Sequence, residues 1–188
     1  MDFISRKYTI EDIYALPDGE RAELIDGQIY YMAPPTRTHQ RMVLSLATLI
    51  NEYIDKDMRK CEVDIAPFAV FLNSQDKKGV DYVEPDIVII CDKDKLDDKG
   101  CHGAPDWVIE VVSPGRKTMD YYIKPFIYNM AGVREYWIVD TEIERIMVYD
   151  MEHDEAPVFY SFIDKVKVNI YDDFEIDFAE VKKLADVK

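Results

Sequence analysis

The stretch Trp107-Val108-Ile109-Glu110-Val111-Val112 is apolar at every position except one, and that position holds a carboxylate. A run of this kind is typical of a strand that is buried on both faces. Because side chains alternate between the two faces of a strand, Glu110 shares a face with Val108 and Val112. An ionised carboxylate among such residues is costly unless it is paired or binds a metal ion. Glu110 is therefore the first candidate functional residue.

A second carboxylate stands upstream, where Pro85-Asp86 leads into the apolar run Ile87-Val88-Ile89-Ile90. Two acidic residues on neighbouring strands are a usual arrangement for Mg²⁺, which prefers hard oxygen ligands and keeps several waters. A water on such a metal loses its proton more readily and can attack a phosphate. Taken singly, Glu110 could pair with a buried cation and Asp86 could merely start a strand. Together they favour a metal site.

The segments around these two strands predict an α/β domain with a mixed sheet flanked by helices. Apolar residues at helical spacing predict one long helix, and Asp26-Gly27 is typical of a tight hairpin turn. The predicted elements are a short helix opened by Thr9 and Asp12, a hairpin over 22–32, a helix over 38–55, strands over 61–72, 82–91 and 107–112, a helix over 117–131 that ends at Gly132, a hairpin over 134–149, a strand over 158–163 and a short closing helix. Stretches 73–79 and 92–103, rich in Asp, Lys and Gly, predict flexible connections.

Composition places limits on the function. The chain has 188 residues, with 23 Lys and Arg against 38 Asp and Glu, so its formal charge is −15. This length predicts a single domain over residues 1–188. So acidic a chain argues against a simple phosphate-binding surface. Its apolar runs are too short to span a membrane.

The cysteines bear on the compartment. Cys61, Cys91 and Cys101 are odd in number and lack CxxC spacing. This pattern predicts neither a disulfide nor a structural zinc site. Free thiols and the lack of an apolar N-terminal leader favour a cytoplasmic protein.

An ordered set of segments is similar to the Uma-type endonuclease family, a group of restriction-like nucleases in the PD-(D/E)XK superfamily. The resemblance implies a restriction-endonuclease-like core: a mixed β-sheet flanked by helices, with additional hairpins. It also implies that Asp86 and Glu110 bind Mg²⁺ or Mn²⁺ with the main-chain carbonyl of Val111, and that Glu23 is a further acidic residue of the site. The matching segments are 22–27, His39-Gln40, Pro85-Asp86-Ile87, 104–106, 108–114, Asp120, Lys124, Tyr128 and 132–140.

The pattern leaves two candidates for the basic residue of the site. The superfamily lysine would stand two residues after Glu110, where this chain has Val112. The family resemblance points instead to Lys124, which shares a helix face with Asp120 and Tyr128. Pro125 disfavours helical geometry at the residue before it, so the helix must kink or restart there. Lys117 therefore stays a rival.

These observations predict a metal-dependent endonuclease that hydrolyses DNA through a metal-activated water. Candidate substrate contacts are Arg116, Lys117, His39 and Gln40. A homodimer is expected because two cuts need two sites. Two alternatives stay open. One is a catalytically silent nuclease fold kept as an interaction module, favoured by Pro125 and the acidic surface. The other is a metal-dependent hydrolase of a small phosphate compound.

Overall fold

A computed structural model describes residues 7–56, 60–73, 80–113, 115 and 117–186. Two six-stranded sheets and a small two-stranded sheet carry the fold, with helices packed on them. The elements are α1 (Ile10–Tyr14), β1 (Ala22–Ile25), β2 (Gln28–Tyr31), α2 (Arg37–Lys56), β3 (Glu62–Ile65), β4 (Val70–Leu72), β5 (Asp81–Val83), β6 (Ile87–Ile90), a 3₁₀ turn (Lys93–Lys95), β7 (Leu96–Asp97), β8 (Gly100–His102), β9 (Trp107–Val111), a π-helical turn (Met119–Ile123), α3 (Lys124–Ala131), β10 (Glu135–Asp140), β11 (Arg145–Asp150), β12 (Val158–Ser161), β13 (Lys165–Lys167), β14 (Glu175–Asp177) and α4 (Phe178–Ala185).

The central sheet has the order β12-β11-β10-β9-β6-β3, and only the β9–β10 pair within it is parallel. Trp107, Ile109 and Val111 face a core that α2 and α4 complete. Val108 and Val112 face the other core, which includes Tyr128 of α3. The alternation of β9 therefore points Glu110 toward α3, as its period of two predicts.

The second large sheet has the order β2-β1-β5-β4-β8-β7 and brings β1 beside β5. The predictions of one continuous strand over 61–72 and one over 82–91 are both wrong. Each segment divides into a part in the central sheet and a part in the second sheet. The breaks fall at Pro67 and Pro85, which lack the N–H that a continuous ladder needs. The predicted α/β class, with mixed sheets flanked by helices and added hairpins, is confirmed.

The segment 92–103 is not the open loop that its composition predicts. The Asp92 side chain accepts from the Asp94 N–H and caps the 3₁₀ turn. Strands β7 and β8 then form a hairpin against β4. Short polar strands of this kind give no apolar run, so sequence patterning does not detect them. Residues 74–79 of the other predicted connection lie outside the described residues.

The expectation of no disulfide is also wrong, because Cys61 and Cys91 are bonded to each other. The register of β3 and β6 pairs Glu62 with Ile90, so the two cysteines that flank this pair face one another. Spacing along the chain does not reveal a pair that strand register brings together across 30 residues. Cys101 is a buried free thiol.

The predicted kink or restart at Pro125 is not a break in the helix, because helical geometry continues from residue 117 to residue 131 and Lys124 keeps right-handed helical angles (φ −61°, ψ −41°). The π-helical turn ends at Ile123, and α3 begins at Lys124 with the proline in its first turn. The Lys124 N–H donates to the Met119 carbonyl, a π-helical bond that changes the hydrogen-bond register just before the proline, which has no N–H to donate. Gly132 ends α3 with φ of 93°, a left-handed conformation that favours glycine. Among the described residues, no helix has the length and apolar character needed to cross a membrane.

Candidate active site

The candidate site is a cavity of about 60 Å³ where the two large sheets approach α2 and α3. This space is enough for a few water-sized groups. Most of its polar lining comes from segments far apart in sequence, which the two sheets and the helices packed on them bring together. The polar lining residues are Arg21, His39, Gln40, Glu84, Asp86, Glu110, Ser113, Asp120 and Lys124.

Glu110 is buried, with 4% of its surface exposed. Lys124 Nζ donates to its Oε1 at 2.7 Å, and the Tyr128 hydroxyl donates to the same atom at 3.0 Å. Both donors come from α3, one turn apart, so the helix face predicted from sequence is the one that holds this carboxylate. Its Oε2 accepts no hydrogen bond from any described residue.

Lys124 is the buried cation of the site, and its side chain is only 2% exposed. Its ammonium lies 3.0 Å from Glu23 Oε1 and 3.7 Å from Asp120 Oδ1. Glu23, on β1, is completely buried and also accepts from the Glu84 main-chain N–H at 3.2 Å. One ammonium thus serves three carboxylates, and the cluster carries an excess of negative charge.

Asp86 reaches the cavity from the residue before β6. Its Oδ2 accepts from the Val111 N–H at 2.8 Å and pairs with His39 Nε2 at 3.0 Å. These two contacts fix one oxygen, while Oδ1 takes no hydrogen bond within the described residues. His39 is 6% exposed, and its Nδ1 is buried without a partner among them.

Burial and crowding shape the titration of this cluster. Burial raises the pKa of Glu110, the Lys124 ammonium lowers it, and Asp86, Asp120 and Glu23 raise it again. Burial likewise raises the pKa of the Tyr128 hydroxyl, which therefore stays a donor to Glu110. A cation placed here would favour the ionised form of Glu110.

Most of the predicted site residues lie together at this cavity. Asp86, Glu110, Val111 and Lys124 line the cavity, and Glu23 contacts Lys124 behind it. The candidate substrate contacts His39 and Gln40 also line it.

Lys117, the rival to Lys124, has other partners. Lys117 instead pairs with Glu142 at 2.7 Å and with Asp140 at 3.3 Å, away from Glu110. These partners lie on the β10–β11 hairpin, and Lys117 is not among the described residues that line the cavity, so its role stays a prediction. Arg116 lies outside the described residues.

Sequence reasoning missed Arg21 and Glu84, which line the same cavity. They are 63 residues apart and form an ion pair in which the Arg21 Nε donates to Glu84 Oε2 at 2.8 Å. Arg21 precedes β1 in a polar stretch, where nothing distinguishes it from a surface arginine. Only the pairing of β1 with β5 brings the two side chains together.

The donor chemistry fits a hard divalent cation. Asp86 and Glu110 each have one oxygen fixed by two contacts and one oxygen that receives none from the described residues. No group of three or more His, Cys, Asp or Glu side chains in the described ranges is arranged as a metal site. The candidate set needs only two carboxylates and the Val111 carbonyl, since Mg²⁺ usually keeps several waters.

Comparisons with known proteins bear on the family and the fold of the chain. Residues 10–177 match the Uma2 family model, described as "Putative restriction endonuclease". A protein of Synechocystis sp. described as uncharacterized is 26% identical over 137 residues, which are 72% of this chain and 68% of that protein. The crystal structure of a "putative nuclease belonging to DUF820" from Anabaena variabilis matches with a TM-score of 0.76 and 17% identity, over 94% of this chain and 98% of that chain. The two chains share a fold.

Proposed function

The chain belongs to the Uma2 family, described as "Putative restriction endonuclease", and we propose that it is a metal-dependent endonuclease that hydrolyses DNA phosphodiester bonds. The observation that carries this proposal is the pair of carboxylates, Asp86 and Glu110, in one cavity with the Lys124 ammonium. Each carboxylate keeps one oxygen clear of the described donors. This is what two ligands of a catalytic cation require.

Asp86, Glu110 and the Val111 carbonyl would hold Mg²⁺ or Mn²⁺. When bound, such an ion supplies a more acidic water and stabilises charge on the phosphate. The excess of carboxylates around Lys124 supports a cation here, because an added positive charge offsets their mutual repulsion.

The residues of the chain orient these ligands. The Val111 N–H and His39 fix the Asp86 carboxylate, while Lys124 and Tyr128 fix Glu110. Fixed ligands need no rearrangement when substrate arrives, which is the main source of electrostatic catalysis. Lys124 also brings positive charge to the cavity wall, where it favours a phosphate that gains negative charge.

The test is cleavage of supercoiled plasmid and single-stranded DNA by the purified protein, in EDTA and in MgCl₂ or MnCl₂. We expect cleavage only with metal, and its loss in Asp86→Asn and Glu110→Gln. Removal of a metal ligand should reduce the rate at least about a hundredfold, in line with the loss of one transition-state charge contact.

Glu135→Gln is a matched control, because Glu135 is a fully buried glutamate on β10, the strand beside β9. It should retain cleavage when folded. Wild-type protein that leaves both DNA forms intact with either metal would contradict the proposal and favour the silent interaction module. Equal activity of Glu110→Gln and wild type would contradict the metal site.

A further inference from the structure

We propose that Arg21 binds the phosphate of the substrate at the mouth of the cavity, an inference that rests on the proposed nuclease function. Arg21 lines the same cavity as Asp86 and Glu110. Its side chain is 37% exposed, whereas that of Lys124 is 2% exposed. Among the described lining residues, only Arg21 and Lys124 always carry positive charge, and Arg21 is the one that an incoming ligand can touch.

The hydrogen-bond inventory of Arg21 leaves donors for a phosphate. A guanidinium has five N–H groups in a fixed fork. Arg21 uses Nε and Nη2 on one oxygen of Glu84, and no other described residue accepts from it. The remaining N–H groups match the spacing of two phosphate oxygens, the bidentate pairing for which arginine is suited.

Glu84 orients Arg21 but leaves some of its N–H groups without an acceptor among the described residues. The other Glu84 oxygen accepts from the Tyr82 hydroxyl at 2.6 Å, and the Glu84 main-chain N–H donates to Glu23. Both carboxylate oxygens of Glu84 therefore accept hydrogen bonds, one from Tyr82 and one from Arg21. The guanidinium is thus oriented before substrate arrives. Such prior ordering reduces the entropy cost of binding.

A phosphate needs this cation because the rest of the wall is acidic. Asp86, Glu110 and Asp120 line the cavity, and Lys124 is already shared among three carboxylates. Lys117, the exposed rival, is paired elsewhere. A phosphodiester that approaches the metal ligands would meet repulsion unless Arg21 offsets it.

The experiment measures steady-state cleavage of a fluorescent DNA duplex in MgCl₂, and its binding by fluorescence anisotropy in CaCl₂ over a salt series. Arg21→Gln should raise KM about tenfold or more, because it removes a hydrogen bond to a charged group. The slope of log Kd against log salt concentration should fall by about 0.9, because one phosphate contact is lost. Arg21→Lys keeps the charge and should recover part of the binding.

Two further variants separate substrate binding from a structural role. Arg134→Gln is the matched control, since Arg134 is 38% exposed, pairs with Asp106 and Glu152, and is not a lining residue of the cavity. It should leave KM and the salt slope unchanged. Glu84→Gln keeps an amide oxygen that can accept from Arg21, so the guanidinium stays oriented, but it removes the negative charge that competes with phosphate; this variant should therefore bind the duplex more tightly. A merely structural ion pair predicts the same effect from Arg21→Gln and Glu84→Gln.

The outcomes are distinguishable. Wild-type protein that neither binds nor cleaves the duplex overturns the proposed function, and this inference falls with it. Wild-type cleavage with unchanged KM and salt slope in folded Arg21→Gln overturns the role of Arg21 alone. Opposite shifts in Arg21→Gln and Glu84→Gln support it.

Discussion

Lys124 is the residue on which the buried acidic cluster depends. Its ammonium contacts Glu110 and Glu23, and all three side chains are almost completely buried. Lys124→Met keeps the stem but leaves these carboxylates without that charge. Breaking a buried ion pair from one side costs about 3–5 kcal/mol. We expect a loss of that order in the free energy of unfolding, measured by urea denaturation at neutral pH.

Lys165→Met is the matched control, because its ion pair with Glu175 lies at the surface, with both side chains about 60% exposed. Exposed pairs contribute little to stability. If the two variants lose the same stability, the buried cluster is not held together as described.

Glu135 predicts a pH dependence of stability separate from the active site. Its carboxylate accepts from the Asn169 and Ile170 N–H groups and from the Trp137 indole. Burial raises its pKa from 4.5 to about 7, although these hydrogen bonds act in the opposite direction. The folded state therefore prefers the protonated form.

The sign of this effect follows from linkage. The contribution is fully present below pH 4.5 and is lost as the pH rises through about 7. This difference in the pKa of Glu135 between the unfolded and folded states corresponds to about 3 kcal/mol in the free energy of unfolding. Across this range, wild-type stability should fall relative to Glu135→Gln, as measured by urea denaturation at several pH values. Parallel pH profiles would show that Glu135 is not the cause.

Single residues also show how far sequence reasoning reaches. Asp86 and Glu110 are predictable because a carboxylate in or beside an apolar strand is a local signal. The residues alone leave several cations open, and it is the family resemblance that points to Lys124. Arg21 and Glu84 are not, since their pairing depends on how β1 meets β5. A charged residue in a polar stretch carries no local sign of the cavity that it lines.

Gly100 tests the junction of β4 and β8. A Cβ at this position would lie 2.1 Å from the Ala69 carbonyl oxygen, and φ is +138°, where side chains are rarely accommodated. The Cys101 N–H also donates to that carbonyl at 2.9 Å, so the two strands cannot separate freely. Gly100→Ala should cost about 3 kcal/mol or more in unfolding free energy.

Gly19→Ala provides the comparison. Gly19 also has a positive φ, of +88°, but nothing lies within 4 Å of its Cβ position. Its cost should be about 1 kcal/mol, the conformational penalty alone. Equal melting shifts for the two variants would mean that β4 and β8 are not packed this closely.

Secondary structure follows the same division between local and long-range information. The hairpin at Asp26-Gly27 is set by the conformational preferences of those residues and is confirmed. Pro125 instead follows a π-helical turn within an unbroken helix, and Lys124 keeps helical angles. The assignment of β3 and β4 to different sheets is not local, although Pro67 marks the break. The Cys61–Cys91 bond follows from the register of β3 and β6, which neither segment specifies alone.

The charge of −15 acts on the molecule in two ways. Many described cations already pair with carboxylates, among them Arg134, Lys165 and Lys182, and such pairing leaves few to hold DNA. We therefore expect weak DNA binding that depends on few phosphate contacts. The unpaired acidic excess also repels itself in the folded state.

This repulsion predicts that salt stabilises the fold. Between about 0.01 M and about 0.15 M NaCl, the screening length falls from about 30 Å to about 8 Å, so long-range repulsion weakens. The urea midpoint should rise over this range. At matched ionic strength, MgCl₂ should raise the midpoint further if Asp86 and Glu110 bind the ion, because binding adds about 2.7 kcal/mol to the free energy of unfolding at a hundred times the dissociation constant. Glu110→Gln should keep the NaCl effect and lose the magnesium increment. An increment that survives in this variant would place the bound magnesium elsewhere on the acidic surface.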